Sequence, residues 1–226
     1  MSEPDKNQKI PSHPMSPRGC YQLFFKPAEF FSGSRWRDRS ITVLPLILIT
    51  GIAAAINRIA KKIISTEVGQ GSSRLWGESS QIMTSWSFYW IIVIVIGIVL
   101  GIVLWYLCGW WYQKRLLWSG ATSVSSNDAR RAYVFQDFVI SAPIILLAIV
   151  QTLLFANFHE AWQGSEFLAL PIIGFALWSC WTSYVAASTA FPVIQHKAKI
   201  WFLVLPAGAY IFSMGLLGWL YSRIGS

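Results

Sequence analysis

The chain has 226 residues, of which 54% are hydrophobic and only 12% are charged, and 13 of them are Trp. A soluble domain carries about 25% charged residues, so a soluble fold of this size could not hide so much apolar surface, and the excess predicts contact with lipid. The net charge of +8 fits the Lys and Arg that collect in cytoplasmic loops of membrane proteins, and no basic globular module points to a nucleic acid.

The N-terminal region divides into two parts of different composition. Residues 1–19 are polar and rich in Pro, which predicts a disordered cytoplasmic tail. Residues 20–40 mix aromatic and basic side chains, which predicts an interfacial segment that docks on anionic lipid or on a cytoplasmic partner. The docking candidates are Phe24, Phe25, Pro27, Phe30, Phe31, Arg35, Arg37 and Arg39.

The remainder, residues 41–221, predicts an all-α transmembrane domain, a polytopic bundle of about five spans. The clearest span has Trp at both ends, as expected at the two membrane interfaces. The first span continues past Ile56 with a polar face, which predicts an amphipathic extension that bends onto or projects from the membrane surface. The predicted spans are 41–60, 86–112, 138–157, 167–190 and 200–221.

The loop between the second and third spans, 113–133, is predicted to be polar. Asn127 and Asp128 are able to cap a helix that begins there. Counting Lys and Arg places 13 on the side of the N-terminal tail and 5 on the other side. The excess predicts a cytoplasmic N-terminus and a C-terminus outside.

Small residues within the spans are candidates for helix packing. Gly97 and Gly101 form a G-x-x-x-G pattern, which permits close approach of a second helix. Gly215 and Gly218 of the last span are candidates of the same kind.

Two polar residues, Asp137 and Gln151, fall at or inside the third span. An acidic residue in a first helical turn is stabilised by the helix dipole and could pair with a nearby Arg, and a buried amide commonly bonds a neighbouring helix. Alternatively, both residues line a wet cavity for a solute.

The residue inventory does not suggest an enzyme. On the predicted topology His159 and His196 lie on opposite faces of the membrane, so they cannot share one metal ion. The sequence has no H-E-x-x-H motif, no G-x-S-x-G motif and no Gly-rich phosphate loop. We therefore predict no catalytic, cofactor-binding or metal-binding residues.

The stretch FFKPAEFF, in which Pro27 is followed by Phe30 and Phe31, resembles the opening of the Yip-domain family of membrane proteins. Two further stretches are similar: the polar segment leading to an early Pro at 127–143, and the run 178–206, with the small residue Ala198 before the last helix. The resemblance covers about residues 20–221. The chain departs from the family where relatives often have a Gly-Gly turn, because its nearest equivalent is Ser119 with Gly120.

The resemblance implies a non-enzymatic helix bundle that binds lipids and other membrane proteins. The short tail indicates a bacterial inner-membrane member of the YknW-like kind, which implies an ABC-type exporter as one candidate partner. The alternative partner is a second copy of the chain. The other functional hypothesis, from the polar residues, is a small-solute transporter or channel subunit.

Overall fold

The computed structural model describes residues 14–38, 43–68, 85–164 and 166–224. These described residues form helices and connecting turns without a β-strand, so the predicted all-α class is confirmed. The helices are α1 (Pro17–Phe25), α2 (Pro27–Ser32), α3 (Leu44–Val68), α4 (Trp86–Trp118), α5 (Ser126–Leu154), α6 (Phe158–Gly164), α7 (Glu166–Ala190), α8 (Gln195–Lys199) and α9 (Leu205–Ile224). A 3-10 turn at Arg35–Arg37 follows α2, and a π-helical turn at Ile200–Val204 joins α8 to α9.

Two helices of the described chain, α4 and α5, are long and apolar enough to cross a membrane. The apolar part of α3, Leu44–Ala60, is shorter. The coarse prediction of membrane-compatible helices therefore has structural support at α4 and α5. The number of spans and their orientation are taken up under the proposed function.

Helix α5 begins well before the predicted third span. It starts at Ser126 rather than at 138 and ends at Leu154 rather than at 157. The predicted polar loop 113–133 is also wrong, because most of it is helical: α4 extends through Trp118 and α5 begins at Ser126. Asn127 and Asp128 lie inside α5, and the capping position belongs to Ser125. This first part carries several charged residues, but it also has a buried apolar stripe that includes Ala129, Ala132, Val134 and Phe135.

The other boundaries differ less. Helix α3 is continuous through Val68, so the amphipathic extension prolongs the same helix. Helix α4 runs six residues beyond the predicted end at 112. Helix α7 coincides with the predicted fourth span to within one residue at its start.

The predicted disordered tail, residues 1–19, is wrong at its C-terminal end, because residues 17–19 belong to α1. Ser16 caps this helix, since its side chain accepts a hydrogen bond from the Gly19 amide at 3.2 Å. Residues 1–13 of the predicted tail lie outside the described residues.

Helix α5 lies at the centre of the bundle and packs against α3, α4 and α7, and α1 and α2 lie along α5 and α7. The main core joins aromatic residues that are far apart in sequence. Phe30 of α2 packs on Phe135 of α5, and Trp36 packs on Phe191 just after α7.

The α3–α4 contact is the closest helix crossing. A Cβ added to Gly51 of α3 would lie 2.7 Å from the Cα of Gly101 on α4. A Cβ on Gly97 would lie 2.9 Å from the Cα of Ile52. Because the opposing atoms belong to the backbone, only glycine permits this approach.

The loops gather at two ends of the bundle. At the end that we call the basic end, the Ile194 amide donates to the carbonyl of Ser119 at 2.8 Å, which joins the loop after α4 to the loop after α7. At the opposite end, the Trp86 indole donates to the carbonyl of Phe155 at 2.8 Å. The rings of Tyr89 and Phe158 stack there with centroids 4.9 Å apart.

Candidate functional site

A continuous exposed apolar surface lies on α4, on the side turned away from α3 and α5. Its members are β-branched, aliphatic and aromatic side chains that pack against no other part of the described chain closely enough to be buried. We call this surface the outer face of α4, and it consists of Ile91, Ile94, Val95, Ile98, Val99, Ile102, Val103, Tyr106, Leu107, Trp110 and Trp111. The opposite, inner stripe of α4 is buried and carries Tyr89, Val93, Gly97, Gly101, Gly109, Tyr112 and Leu116.

Burial removes several of the predicted docking residues from any outside surface. Phe30 is 8% exposed and Phe31 is 2% exposed, and Pro27 is also buried. The prediction that these three residues dock on lipid or on a partner is therefore wrong, because their side chains lie inside the protein. Phe24 is half-buried, and its ring lies against those of Phe138 and Phe175.

The remaining docking candidates are more accessible. Phe25 is 67% exposed. Arg37 is exposed, its guanidinium donates to the carbonyl of Ala190, and it lies 4.8 Å from the ring centroid of Trp36. Arg35 is half-buried, and Arg39 lies outside the described residues.

The predicted packing glycines fall into two groups. Gly97 and Gly101 are buried at the crossing with α3. A Cβ on Gly215 would meet nothing within 4 Å in the described part of the chain. For Gly218 the structure describes the helical backbone of α9 and nothing of its surroundings.

Asp137 lies on the side of α5 that faces α3. Ser141, one turn further along α5, donates to Asp137 Oδ2 at 2.9 Å. Thr50 of α3 is a second hydroxyl beside this carboxylate and is 2% exposed. The arrangement is a carboxylate held between two hydroxyls at a helix interface.

The polar residues of the other side of α5 bond to α7 and to the N-terminal segment. Ser179 of α7 donates to the Gln136 side-chain oxygen at 3.4 Å. Arg131 is 5% exposed and donates to the carbonyl of Trp36 at 3.3 Å. Gln151 is half-buried near the far end of α5 and also has an interaction partner.

The basic end also carries a half-buried cation, Arg115. Its guanidinium lies 4.5 Å from the ring centroid of Phe202 and 5.3 Å from that of Tyr112. It donates to the carbonyl of Trp201 at 3.3 Å. Arg115 therefore ties α4 to the π-helical turn before α9.

Two side chains of the N-terminal segment have perturbed acid–base properties. Burial raises the pKa of the Cys20 thiol. The hydrogen bond and the charge of Glu29 raise the pKa of Lys26, with the ammonium 3.0 Å from the carboxylate. Less thiolate at Cys20 means slower reaction with electrophiles.

Within the described ranges no three His, Cys, Asp or Glu side chains come together as metal ligands. His159 lies in α6 at the opposite end and His196 in α8 at the basic end, and both are exposed. The structure thus keeps the two histidines apart.

Sequence reasoning missed Gly51, Trp36 and Gly109. Gly51 is followed four positions later by Ala55 rather than by a second glycine, and its contact is revealed only by the position of α4. Trp36 stands between two Arg residues, a pattern equally typical of a membrane interface. Gly109 is revealed only by Arg130 of α5, which lies against it.

Comparison with protein-family models, with curated proteins and with solved structures found no match. The similarity to the Yip-domain family therefore stays a prediction.

Proposed function

We propose that the protein is an integral membrane protein in which α3, α4, α5, α7 and α9 each cross the bilayer, with the N-terminus in the cytoplasm. The observation that carries this proposal is the outer face of α4. From Ile91 to Trp111 it extends about 30 Å at 1.5 Å per residue, which equals the thickness of the bilayer hydrocarbon core. Soluble monomers rarely expose an apolar patch of more than a few hundred Å².

The pairing of the loops supports the alternation of spans. The loops after α4 and α7 meet at the basic end, and the start of α4 meets the end of α5 at the opposite end. If five helices cross the bilayer in alternating directions, the loops after the second and fourth crossings lie on one side of the membrane. The start of the second crossing and the end of the third then lie on the other side. The basic end also carries most of the cations, as expected for the cytoplasmic side.

Single cysteines in a background without the three native cysteines test the topology. Ser123 lies exposed at the basic end and Glu160 lies exposed at the opposite end. Under alkaline extraction the protein should stay with the membrane. A membrane-impermeant maleimide should label Glu160→Cys from outside and Ser123→Cys only after the membrane is opened, while Ile98→Cys stays unlabelled. Labelling of Ile98→Cys as fast as Ser123→Cys would refute the lipid contact of α4.

As to its role, we propose a non-enzymatic interaction subunit that assembles with another membrane protein through α9. Tyr210, Ile211 and Phe212 of this helix are exposed. Cβ atoms on Gly208 and Gly215, two turns apart, would meet nothing within 4 Å in the described chain. Small residues let helices approach closely in lipid, so this side of α9 suits a partner helix, from an ABC-type exporter or from a second copy.

Gentle-detergent purification of the tagged protein tests this role. A stoichiometric membrane partner, or a defined oligomer, should accompany the wild type. Gly208→Leu and Gly215→Leu should each reduce its recovery. Gly174→Leu on α7 is the matched control, because a Cβ there also meets nothing within 4 Å. Equal recovery from all four proteins would contradict a partner site on α9.

The Asp137 arrangement favours a second candidate, a small-solute transporter or channel subunit. A carboxylate between two hydroxyls at a helix interface is suited to bind a proton or a small cation. In that case Asp137→Cys should react with a permeant maleimide added from the cytoplasm, and a transported solute should slow the reaction. An unreactive cysteine at this position would exclude a wet cavity there.

A further inference from the structure

Arg130 reaches from α5 across α4 to the outer face. Its guanidinium lies 4.7 Å from the ring centroid of Tyr106, which is 56% exposed. The crossing is possible because position 109 is glycine. A Cβ on Gly109 would lie 3.1 Å from the Cα of Arg130 and even closer to its side-chain stem. Gly109 therefore forms a notch through which the cation extends to the surface.

Lys114 lies at the same end of the outer face. Its ammonium is 5.9 Å from the ring centroid of Trp110. Tyr106, Trp110 and Lys114 are spaced four residues apart, so they lie above one another on one side of α4. The two cations thus stand over consecutive aromatic rings near the basic end.

Below the cations runs a shallow groove along α4. Its walls are almost entirely apolar and are formed by Ile102, Val103, Tyr106, Leu107 and Trp110. The groove follows the helix axis, and hence the direction of acyl chains in a bilayer crossed by α4.

Neither cation has a carboxylate partner among the described residues, where the ion pair of the chain is Lys26 with Glu29. The Nε–H of Arg130 is also buried without a hydrogen-bond acceptor there. A guanidinium with free donors matches the oxygens of a phosphate group. Lys114 lies beyond the Trp110 end of the groove and Arg130 lies over Tyr106, so the part beyond Tyr106, toward Ile102, has no cation of the described chain over it. This arrangement is complementary to a negative head group followed by a hydrocarbon chain.

We propose that this surface binds one anionic phospholipid, with its phosphate on Arg130 and Lys114 and an acyl chain in the groove from Tyr106 to Ile102. The proposal rests on the membrane location argued above. On that topology the site faces the cytoplasmic leaflet, where anionic lipids attract juxtamembrane cations. Trp110 lies at the interface, as amphipathic rings prefer.

Native mass spectrometry of the detergent-solubilised full chain tests the site. The protein is titrated with phosphatidylglycerol and with phosphatidylcholine that carry the same acyl chains. The wild type should bind one phosphatidylglycerol in clear preference. Arg130→Gln and Lys114→Gln should each lower that preference about fivefold, the effect expected of one cation near a lipid surface.

Lys197→Gln is the matched control, because Lys197 is an exposed cation of the basic end far from the groove in sequence. It should keep the preference of the wild type. Gly109→Ala should weaken the preference although it changes no charge, because the new methyl group displaces Arg130. An equal loss in Lys197→Gln would show diffuse charge attraction and overturn the site, as would an unchanged preference in Arg130→Gln.

The experiment separates failure of the site from failure of the membrane proposal. If the wild type binds both lipids equally, the specific site is wrong and the membrane location stands. If the wild type retains neither lipid, the lipid site is wrong, and alkaline extraction with the maleimide labelling of Glu160→Cys and Ser123→Cys decides the membrane location independently. Capture of an acidic protein on the groove in place of lipid would also overturn the proposal.

Discussion

The N-terminal segment, residues 14–38, and helix α4 place their apolar side chains in opposite surroundings. The segment is rich in polar and charged residues, yet Leu23, Phe31 and Trp36 are at most 2% exposed. Helix α4 is apolar for most of its length, yet Val95 and Val99 are more than half exposed. In water the exposure of α4 would be unfavourable, because the hydrophobic effect favours burial of apolar side chains.

On the proposed membrane location, this difference has a physical cause, because water surrounds one part of the chain and lipid surrounds another. The N-terminal segment reaches its stable state by burying rings against α5 and α7, as a soluble protein does. Helix α4 gains nothing by such burial if lipid surrounds it, since lipid tails are as apolar as its own side chains. Its inner stripe contains three glycines, Gly97, Gly101 and Gly109, which permit close packing of the neighbouring helices.

The largest effect is expected from removing a buried ring of the N-terminal segment. Trp36→Ala should lower the free energy of unfolding by about 3–5 kcal/mol, because the cavity left by a buried ring is not refilled. The lost indole also donates to the Phe31 carbonyl at 3.0 Å. Unfolding in mixed micelles of a mild detergent and dodecyl sulfate measures the change.

The control for Trp36 is Trp110→Ala on the outer face, where the ring is 48% exposed. It should cost much less, since lipid or detergent replaces the ring. Equal destabilisation by both substitutions would mean that the outer face packs like a protein core, and the comparison would fail.

A smaller effect sharpens the contrast between the two sides of α4. Gly51→Ala should destabilise the protein by about 1–3 kcal/mol through overpacking, because the added methyl group meets backbone of α4 that cannot move aside. Gly174→Ala, with open space around it, should be neutral or stabilise by up to about 1 kcal/mol through its helix propensity. Thermal unfolding of both variants in the same detergent decides. Equal melting temperatures would show that the crossing is looser than the structure has it.

The smallest expected effect concerns the attachment of the N-terminal segment. The Trp178 indole of α7 donates to the Phe24 carbonyl at 2.7 Å. Trp178→Phe removes this bond and should weaken the attachment by about 0.5–1.5 kcal/mol. Hydrogen exchange of the α1 amides should rise accordingly and leave α4 unchanged. Trp181→Phe, at a ring 41% exposed on the same helix, is the control and should leave α1 exchange as it was.

Some of this fold could be predicted from the sequence, and particular residues show why. The apolar runs of α4 and α7 are long, so α7 could be predicted to within one residue and α4 at its start, although α4 ends six residues after its predicted end. The start of α5 could not, because Asp128, Arg130 and Arg131 look like loop residues when their helical neighbours are unknown. The buried Arg131 donates a hydrogen bond to the carbonyl of Trp36, which lies 95 positions earlier in the chain.

The candidate sites divide in the same manner. Gly97 and Gly101 could be proposed from their spacing, whereas their partner Gly51 follows only from how the helices cross. The rings of Phe30 and Phe31 were predicted at a membrane surface because aromatic residues suit both an interface and a core. Nothing local distinguishes these two environments. The notch at Gly109 likewise depends on the placement of Arg130 from another helix.

The bond between Trp178 and Phe24 has a consequence for the time course of synthesis. The two residues are 154 positions apart, and a ribosome adds about 5–20 residues per second. The N-terminal segment emerges first and then waits roughly 8–30 s before the helix that receives it exists. During that interval its aromatic rings are accessible to the membrane surface and to chaperones. A pulse of protease should therefore cut near Phe25 in nascent chains that end before Trp178 and spare it in the released, complete chain.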